Sequence, residues 1–367
     1  MKPRILFVVM SAVARPEAID QLARALAPHA VLVHHDFSQT PEFHLAAANV
    51  RFVPDPKQTG WAVFGFVEGI FHSLRHALEH FDFDYLQLLS PRCLPIRPLG
   101  EFEAHVSGPA DAHFDCVDLF GDRDALMSVG YRALTPERSF RHRVARRLAT
   151  EYFRGSTGRR DEAGIWLHSG RGKGVLAWVA ALSLKLLQQP AIGRHIFNDA
   201  FRPYYGSTWF GARRSVVAAM VDRFERPRLR NYFSRLRIAD EFMIPTLLMS
   251  VCSSKGPSNH FVKPFDQAHP GVIEEADLEQ LALSGAYFAR KFPEDPAAPV
   301  RLAVLTGLSG AGQRPPESVQ AQAGDVRAAN SRAPECVADV AFFGARRPPG
   351  ERILPSAVAQ RRRPGTA

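Results

Sequence analysis

The chain has 367 residues, enough for a full core in one large domain or two ordinary ones. Its 46% hydrophobic and 23% charged content is that of an ordinary soluble protein, which excludes a chain built mainly from membrane spans or low-complexity repeats. A net charge of +9 favours anionic partners: nucleotide phosphates, nucleic acid, acidic glycans or an anionic membrane surface.

Lys2, Arg4, the apolar run from Ile5 to Met10 and Ser11-Ala12-Val13-Ala14 imitate a short signal peptide, but an apolar stretch of six residues is short for one. An amphipathic segment follows at once (Pro16 to Ala27, with Ile19, Leu22, Ala23 and Leu26 on one face), and then the β-type run Val31-Leu32-Val33. Strand, helix, strand is the better reading, with 4–10 as the first buried strand. Further strands are expected at 30–34, 50–53, 84–89 and 113–119, and a helix at 64–80 with Phe66, Ile70, Leu74 and Leu78 in a stripe. This alternation predicts an α/β fold, a mainly parallel sheet with helices on both faces. In such sheets sites lie beyond the carboxyl ends of the strands, here at His34-His35-Asp36 and from Ser90 to Pro95.

Residues 121–200 read as a basic helical insertion. From 131 to 175 there are eleven Arg/Lys against four Asp/Glu, and the apolar run from Val175 to Leu187 follows. That run is too short to cross a bilayer and is expected to be a buried helix; a basic segment beside it also suits peripheral contact with an anionic membrane. Regular structure resumes at Ser207 to Arg213, with helices around 215–224 and 240–251. The domain is expected to span 1–297 and residues 298–367 to form a disordered tail, in which the stretch after 311 has nine Arg, no Lys and no sustained apolar period. With no stretch of transmembrane length, the expected location is cytoplasmic, peripheral to the inner membrane if the insertion docks there. Cys93, Cys116, Cys252 and Cys336 make no metal-ligand spacing and are expected as buried thiols.

Two acidic constellations stand out. Asp82-Phe83-Asp84 has the Asp-x-Asp form used to hold a divalent cation, but it enters a strand at its amino end, away from the cleft. His34 and Asp36 lie at a carboxyl end and share one face of their strand, so they suit hydrogen bonding to a nucleotide better than metal ligation.

Several segments, taken together and in order, resemble the core-2/I-branching β-1,6-N-acetylglucosaminyltransferase family, which includes the peptide O-xylosyltransferases. They are Val33-His34-His35-Asp36, Gly60-Trp61 with Phe64-Gly65 and Glu68, Asp84 to Ser90 with Pro95, Gly206-Ser207-Thr208-Trp209-Phe210, Ala239-Asp240-Glu241-Phe242 with Thr246-Leu247-Leu248, and Phe288-Ala289-Arg290-Lys291-Phe292. The resemblance covers residues 4 to 295, omits the tail, fits 121–200 poorly, and is to a bacterial-type member. It implies a GT-A-like Rossmann-type fold and a single catalytic domain. It also implies inverting transfer, without a metal or other cofactor, of N-acetylglucosamine or xylose from a UDP donor to a glycan or glycolipid hydroxyl.

Carried over residue by residue, the resemblance makes Glu241 the catalytic base, at a helix start where the dipole favours an ionised carboxylate. Lys291 with Arg290 would neutralise the donor diphosphate, and Asp36, with Ser11 beside it, would hold the uridine or ribose. Trp209, Asp240 and Arg92 would face the acceptor, with Trp61 as a second ring for stacking or, more simply, a core tryptophan. Pro91-Arg92-Cys93 stands where the family commonly has Gly-Gln-Asp, and Met10-Ser11 where a His often follows the first strand; both departures touch the cleft. Two other readings remain open on the sequence. One is a metal-dependent transferase using Asp82 and Asp84. The other is a basic binding protein for nucleic acid or an anionic polymer, which Phe140, Tyr152 and Phe153 furnish poorly as stacking platforms, so nucleic acid is not expected as a partner.

Overall fold

In a computed structural model of the chain, residues 2–121, 140–152, 157–160, 166–169, 174–187, 195–266 and 269–311 are described. The first half runs β1 (Ile5–Ser11), α1 (Pro16–Ala25), β2 (Ala30–His35), β3 (Val50–Phe52), α2 (Phe64–His80), β4 (Tyr85–Leu89), β5 (Leu94–Pro95), α3 (Leu99–Val106), β6 (Ala112–His113) and β7 (Cys116–Asp118). Next come α4 (Phe140–Tyr152), the ribbon β8 (Thr157–Arg160) and β9 (Trp166–Ser169), and α5 (Val175–Leu187). The remainder is β10 (Tyr204–Gly206), β11 (Gly211–Arg213), α6 (Arg214–Phe224), α7 (Pro227–Phe233), α8 (Asp240–Val251), β12 (Lys255–Gly256), β13 (His260–Val262), β14 (Phe265–Asp266), β15 (His269–Pro270), α9 (Leu278–Leu283), β16 (Phe288–Arg290) and α10 (Pro299–Ala311).

The main sheet has the order β12-β6-β11-β4-β1-β2-β3, and only β11 runs against its neighbours. This is the expected α/β fold with a mostly parallel sheet. All seven residues of β1 are buried because both faces of the sheet are covered. Leu6, Val8 and Met10 pack with Ile70, Phe71 and Leu74 of α2 and with Phe242 and Leu247 of α8. Ile5, Phe7 and Val9 alternate to the opposite face, against Ile19 and Leu22 of α1 and Phe102 of α3. Pro16 opens α1, a position where its missing N–H costs nothing.

A second sheet, β13-β16-β5, lies on the face of α1 and α3. A buried polar network joins it to the main sheet. Asn259, just before β13, donates to Gln87 Oε1 (2.7 Å) and Tyr85 Oη (3.0 Å) of β4, and Tyr85 Oη lies 2.8 Å from His113 Nδ1. Gly211 is small for this reason: a Cβ there would collide with Tyr85 Oη and Gln87 Oε1.

Four expectations need correction. The strand expected at 113–119 is two pieces, β6 in the main sheet and β7 leaving it to pair with β10. The run from Val175 to Leu187 is a helix but not a buried one: Trp178 is 60% exposed. Trp61, expected in the core, is 55% exposed. Finally, the ordered chain continues past 297, because α10 docks on the domain through Val300 and a fully buried Arg301, whereas the part of the expected tail after 311 lies outside the described residues. Of the cysteines, Cys93 is buried and Cys116 and Cys252 are half-buried, all as free thiols, and Cys336 lies outside the described residues.

Arg301 donates to Gln21 Oε1 (2.7 Å), Pro293 O (3.0 Å) and Ala18 O (3.2 Å), so each of its three guanidinium nitrogens has a partner although the residue is fully buried. Arg301→Ala should therefore destabilise the fold by about 2–4 kcal/mol, through lost charge-assisted hydrogen bonds and stranded carbonyls. Urea denaturation measures this, and a loss below the usual scatter of surface substitutions would show that α10 adds nothing to the domain.

Candidate functional site

The candidate cleft lies beyond the carboxyl ends of β1, β2 and β4, where α8 and the end of β16 approach. Its cationic side comes from two distant segments. The loop after β4 carries Arg92, and β16 runs directly into Lys291 and Phe292. Antiparallel pairing of β16 with β5 brings the two together. They are then clamped: Phe292 N–H donates to Arg92 O (2.9 Å) and Arg92 Nε donates to Phe292 O (2.8 Å). Arg92 Nη1 also lies 3.7 Å from Glu294.

Arg290 stacks its guanidinium on the ring of Trp209, 4.7 Å from the centroid, and its Nε is buried without a hydrogen-bond partner among the described residues. Burial is the main influence on Arg290 and pushes its pKa down; Glu241 and Asp240 are close enough to push it back up, while Arg92 adds to the fall. Burial likewise drives Lys291 down to about 8, helped by the positive charges of Arg290 and Arg92 and opposed by Glu294. Three cations thus crowd one corner of the cleft, with Glu294, Glu241 and Asp240 as the acids nearest to them.

The acidic side is the first turn of α8. Asp240 and Glu241 open this helix, and Ala239 is its N-cap without a side-chain capping bond, so Asp240 is not the cap its position suggests. The side chains are held instead by the segment from 204 to 209. Tyr205 Oη donates to Glu241 Oε2 (2.6 Å), Thr208 Oγ1 donates to Asp240 Oδ2 (2.6 Å), and Tyr204 N–H donates to Thr246 Oγ1 (2.9 Å). Gly206 allows the segment to lie so close to its neighbour, since a Cβ there would run into Asp115 O. Just upstream, Ile238 has a left-handed backbone (φ 53°), rare for a β-branched residue, and it donates to the carbonyl of Ala62, also left-handed at φ 63°. This contact seats the exposed Trp61 beside the start of α8, with Arg237 over its ring at 5.7 Å.

The structure therefore brings together Glu241, Asp240, Arg290, Lys291, Arg92 and Trp209, but uses some of them otherwise than expected. Trp209 is buried and lies against Arg290, so it braces a cation rather than offering an open face to a sugar. Asp36 is buried, and both its oxygens accept from this chain: Ser38 N–H and Oγ–H, Gln39 Nε2, and Thr59 N–H and Oγ–H, at 2.6 to 3.1 Å. Burial pushes the Asp36 pKa up, and these hydrogen bonds outweigh it and hold the group well below the usual carboxylate range. Ser11 is buried, with Oγ 3.0 Å from His35 Nδ1. His34, lowered to about 4 by burial and then by His72, is neutral and accepts the N–H of Lys57 at Nε2 (3.0 Å). Asp36 and His34 together pin the loop that carries Trp61.

Asp82 and Asp84 lie at the amino end of β4, where both pair with Arg4; Asp84 accepts Arg4 N–H and Nη2–H at 2.8 Å each. Among the described residues no three His, Cys, Asp or Glu side chains are grouped as metal ligands. Tyr152 is buried and so is no stacking platform, and Phe153 lies outside the described residues. Tyr205 is the site residue that sequence reasoning missed; its only signal was a position one residue before the Gly-Ser-x-Trp-Phe segment.

Lys291 gives the site a pH signature. Its pKa is lower folded than unfolded, so its charge costs stability in full below about pH 8, and that cost fades as pH rises from there towards the unfolded value near 10.4. Stability should rise over this interval while anion affinity falls. By calorimetry, Lys291→Ala should weaken inorganic pyrophosphate binding at pH 7 by about 1.5–3 kcal/mol, and the gap between wild type and variant should close as pH climbs through about 8. A gap that is absent at pH 7, or as large at pH 9.5 as at pH 7, would take Lys291 out of the anion site.

No family model matches the chain, and no curated protein does. Among solved structures, it is similar to an active-site mutant of LgtC (12% identity, TM-score 0.33) and to the galactosyltransferase LgtC in complex with donor and acceptor sugar analogs (10%, TM-score 0.32). Each of these comparisons covers 85% of this chain and 98% of the other. It is also similar to the apo structure of the bifunctional glycosyltransferase WbbM, at 10% identity and TM-score 0.33, over 83% of this chain and 52% of that one. Similarity this loose does not define a reaction.

Proposed function

We propose that the chain is a glycosyltransferase of the core-2/I-branching type, which moves a sugar from a UDP donor to a hydroxyl of a glycan or glycolipid with inversion and without a metal. One observation carries the reading: Arg290, at the corner it shares with Arg92 and Lys291, lies within Coulombic reach of the carboxylates that open α8. Transfer from a sugar diphosphate makes two opposite demands at two sites a few ångströms apart: a cationic seat for the leaving group and a base for the incoming hydroxyl. This cleft offers both.

In this reading the acceptor oxygen forms its bond to the anomeric carbon as the bond from that carbon to the diphosphate oxygen breaks. Glu241 takes the hydroxyl proton, and the electron pair leaves with the diphosphate. Tyr205 fixes one oxygen of Glu241, so the base does not need to find its orientation during reaction. Arg290, half-buried and propped by Trp209, and Lys291 meet the growing negative charge where solvent screening is weak. Arg92 is held by its hydrogen bond to Phe292 O and its ion pair with Glu294, and contributes chiefly to the field. Asp36 and Ser11 act indirectly on the donor side, by shaping the loops at the ends of β1 and β2. For the acceptor, the exposed ring of Trp61 suits the apolar face of a sugar. N-acetylglucosamine and xylose are the donor sugars that the sequence resemblance favours.

The test is release of UDP from a panel of UDP-sugars, in the presence and absence of a chelator. Turnover should persist in excess EDTA; complete loss restored by manganese would sink the metal-free mechanism, and no release from any donor would sink the transferase reading. Glu241→Gln keeps the size of the side chain and removes its basicity. It should lower turnover by roughly two to four orders of magnitude while UDP affinity and melting temperature barely move. Asp240→Asn keeps an acceptor for Thr208 and should retain far more activity. If instead Asp240→Asn is inactive and Glu241→Gln is not, the base is Asp240.

A further inference from the structure

We propose that the outer face of α5, with the basic helix α4 against it, is a docking surface for an anionic lipid bilayer. The helix is apolar on both sides. Ala177, Ala180 and Leu184 are buried towards the protein, and Val175, Leu176, Trp178, Val179, Leu182 and Leu186 are 43–76% exposed. The spacing of 175, 178/179, 182 and 186 puts these residues in one stripe along the helix. Apart from Ser183 and Lys185 the thirteen residues of α5 are apolar; such a helix meets either a core or a non-aqueous phase, and a contiguous exposed patch of this kind marks an interaction surface. Its length, about 20 Å for 13 residues, is too short to cross a bilayer, and no described helix is long and apolar enough to do so. Such a helix lies along the interface, where a central tryptophan is at home.

Charge chooses the occupant. α4 packs against α5 and carries four arginines and a single acid in its thirteen residues; Arg143 and Arg147 are exposed one turn apart. The sequence around both helices keeps the same sign, with eleven Arg/Lys against four Asp/Glu between 131 and 175. A second copy of this chain would bring that positive charge against itself. Anionic headgroups complement it and leave the stripe of α5 to enter the acyl boundary. None of these residues belongs to the cleft, so the surface stands whether or not the reading of the site holds.

The experiment is vesicle flotation with the full chain, comparing neutral phosphatidylcholine with vesicles containing about a third phosphatidylglycerol, as a function of salt. The chain should float with the anionic vesicles and not the neutral ones, and release as salt rises. Trp178→Ser with Leu182→Ser should abolish flotation, and Arg143→Gln with Arg147→Gln should weaken it roughly 10- to 30-fold, since each arginine near such a surface is worth about one factor of five. Circular dichroism melting checks that each variant is folded, and Val175→Ser with Leu186→Ser serves if the first pair is not. The proposal is overturned if the folded wild type ignores anionic vesicles, if it binds neutral ones as well, or if flotation survives the serine substitutions. It is also overturned if light scattering finds a dimer that those substitutions dissolve, which would make the stripe a self-interface.

Discussion

The candidate site depends on a pair of hydrogen bonds between residues 200 positions apart. Phe292 N–H to Arg92 O and Arg92 Nε to Phe292 O join the loop after β4 to the strand that carries Arg290 and Lys291. Together with the pairing of β16 and β5, this clamp holds Arg92 beside the neighbouring Arg290 and Lys291, although nothing in the interaction of like charges favours crowding. Burial and mutual repulsion appear in the lowered pKa values of Arg290 and Lys291, and the fold bears that cost. Local cost of this kind at a cleft is what a binding site for a multiply charged anion requires. The small sheet that holds Arg290 in place is itself tied to the main one through Asn259, Gln87 and Tyr85.

The opposite wall is built on the same logic with other chemistry. α8 has no side-chain cap, and its first two acids are oriented from outside by Tyr205 and Thr208. That external control needs the segment from 204 to 209 to lie close along its neighbours, and Gly206 permits it. The strained backbone at Ile238 and Ala62 belongs to the same assembly, because it places the Trp61 loop against the entry to α8. Asp36 supports that loop from below. Polar residues such as Asp36 and Ser11, which look like ligand contacts in the sequence, are thus hydrogen-bonded within the chain itself.

What could be read from the sequence follows from what the sequence encodes locally. Ile5 to Met10, Val31 to Val33 and Tyr85 to Leu89 are short, apolar and bounded by turns, so they announce buried parallel strands. The stripe of α2 announces a helix against them. A candidate cleft at the strand ends is expected from this order, and the motif order points to Glu241, Arg290 and Lys291, of which the fold brings Arg290 within reach of both others. The run from Val175 to Leu187 shows the limit of such reading. Its apolarity is a sequence property, but whether it is enclosed depends on how much protein surrounds it, and only one side is covered.

Partnership is likewise a tertiary matter. Asp36 and Glu241 are both acids at strand or helix ends, yet Asp36 accepts five hydrogen bonds from its own loops while Glu241 accepts from Tyr205 of a distant strand and lies within reach of the Arg290 charge. Trp209 and Trp61 are interchangeable in composition, and their burial is the reverse of what their motifs suggest, because Arg290 needs a ring beneath it and the loop at 60 projects outward. The sequence by itself determined the α/β alternation and the two-faced burial of the sheet, since hydrophobic periodicity acts between residues near in the chain. Only the tertiary structure decided which charges meet, which are satisfied by the protein and which apolar face is left bare, since those depend on contacts between segments that no local pattern records.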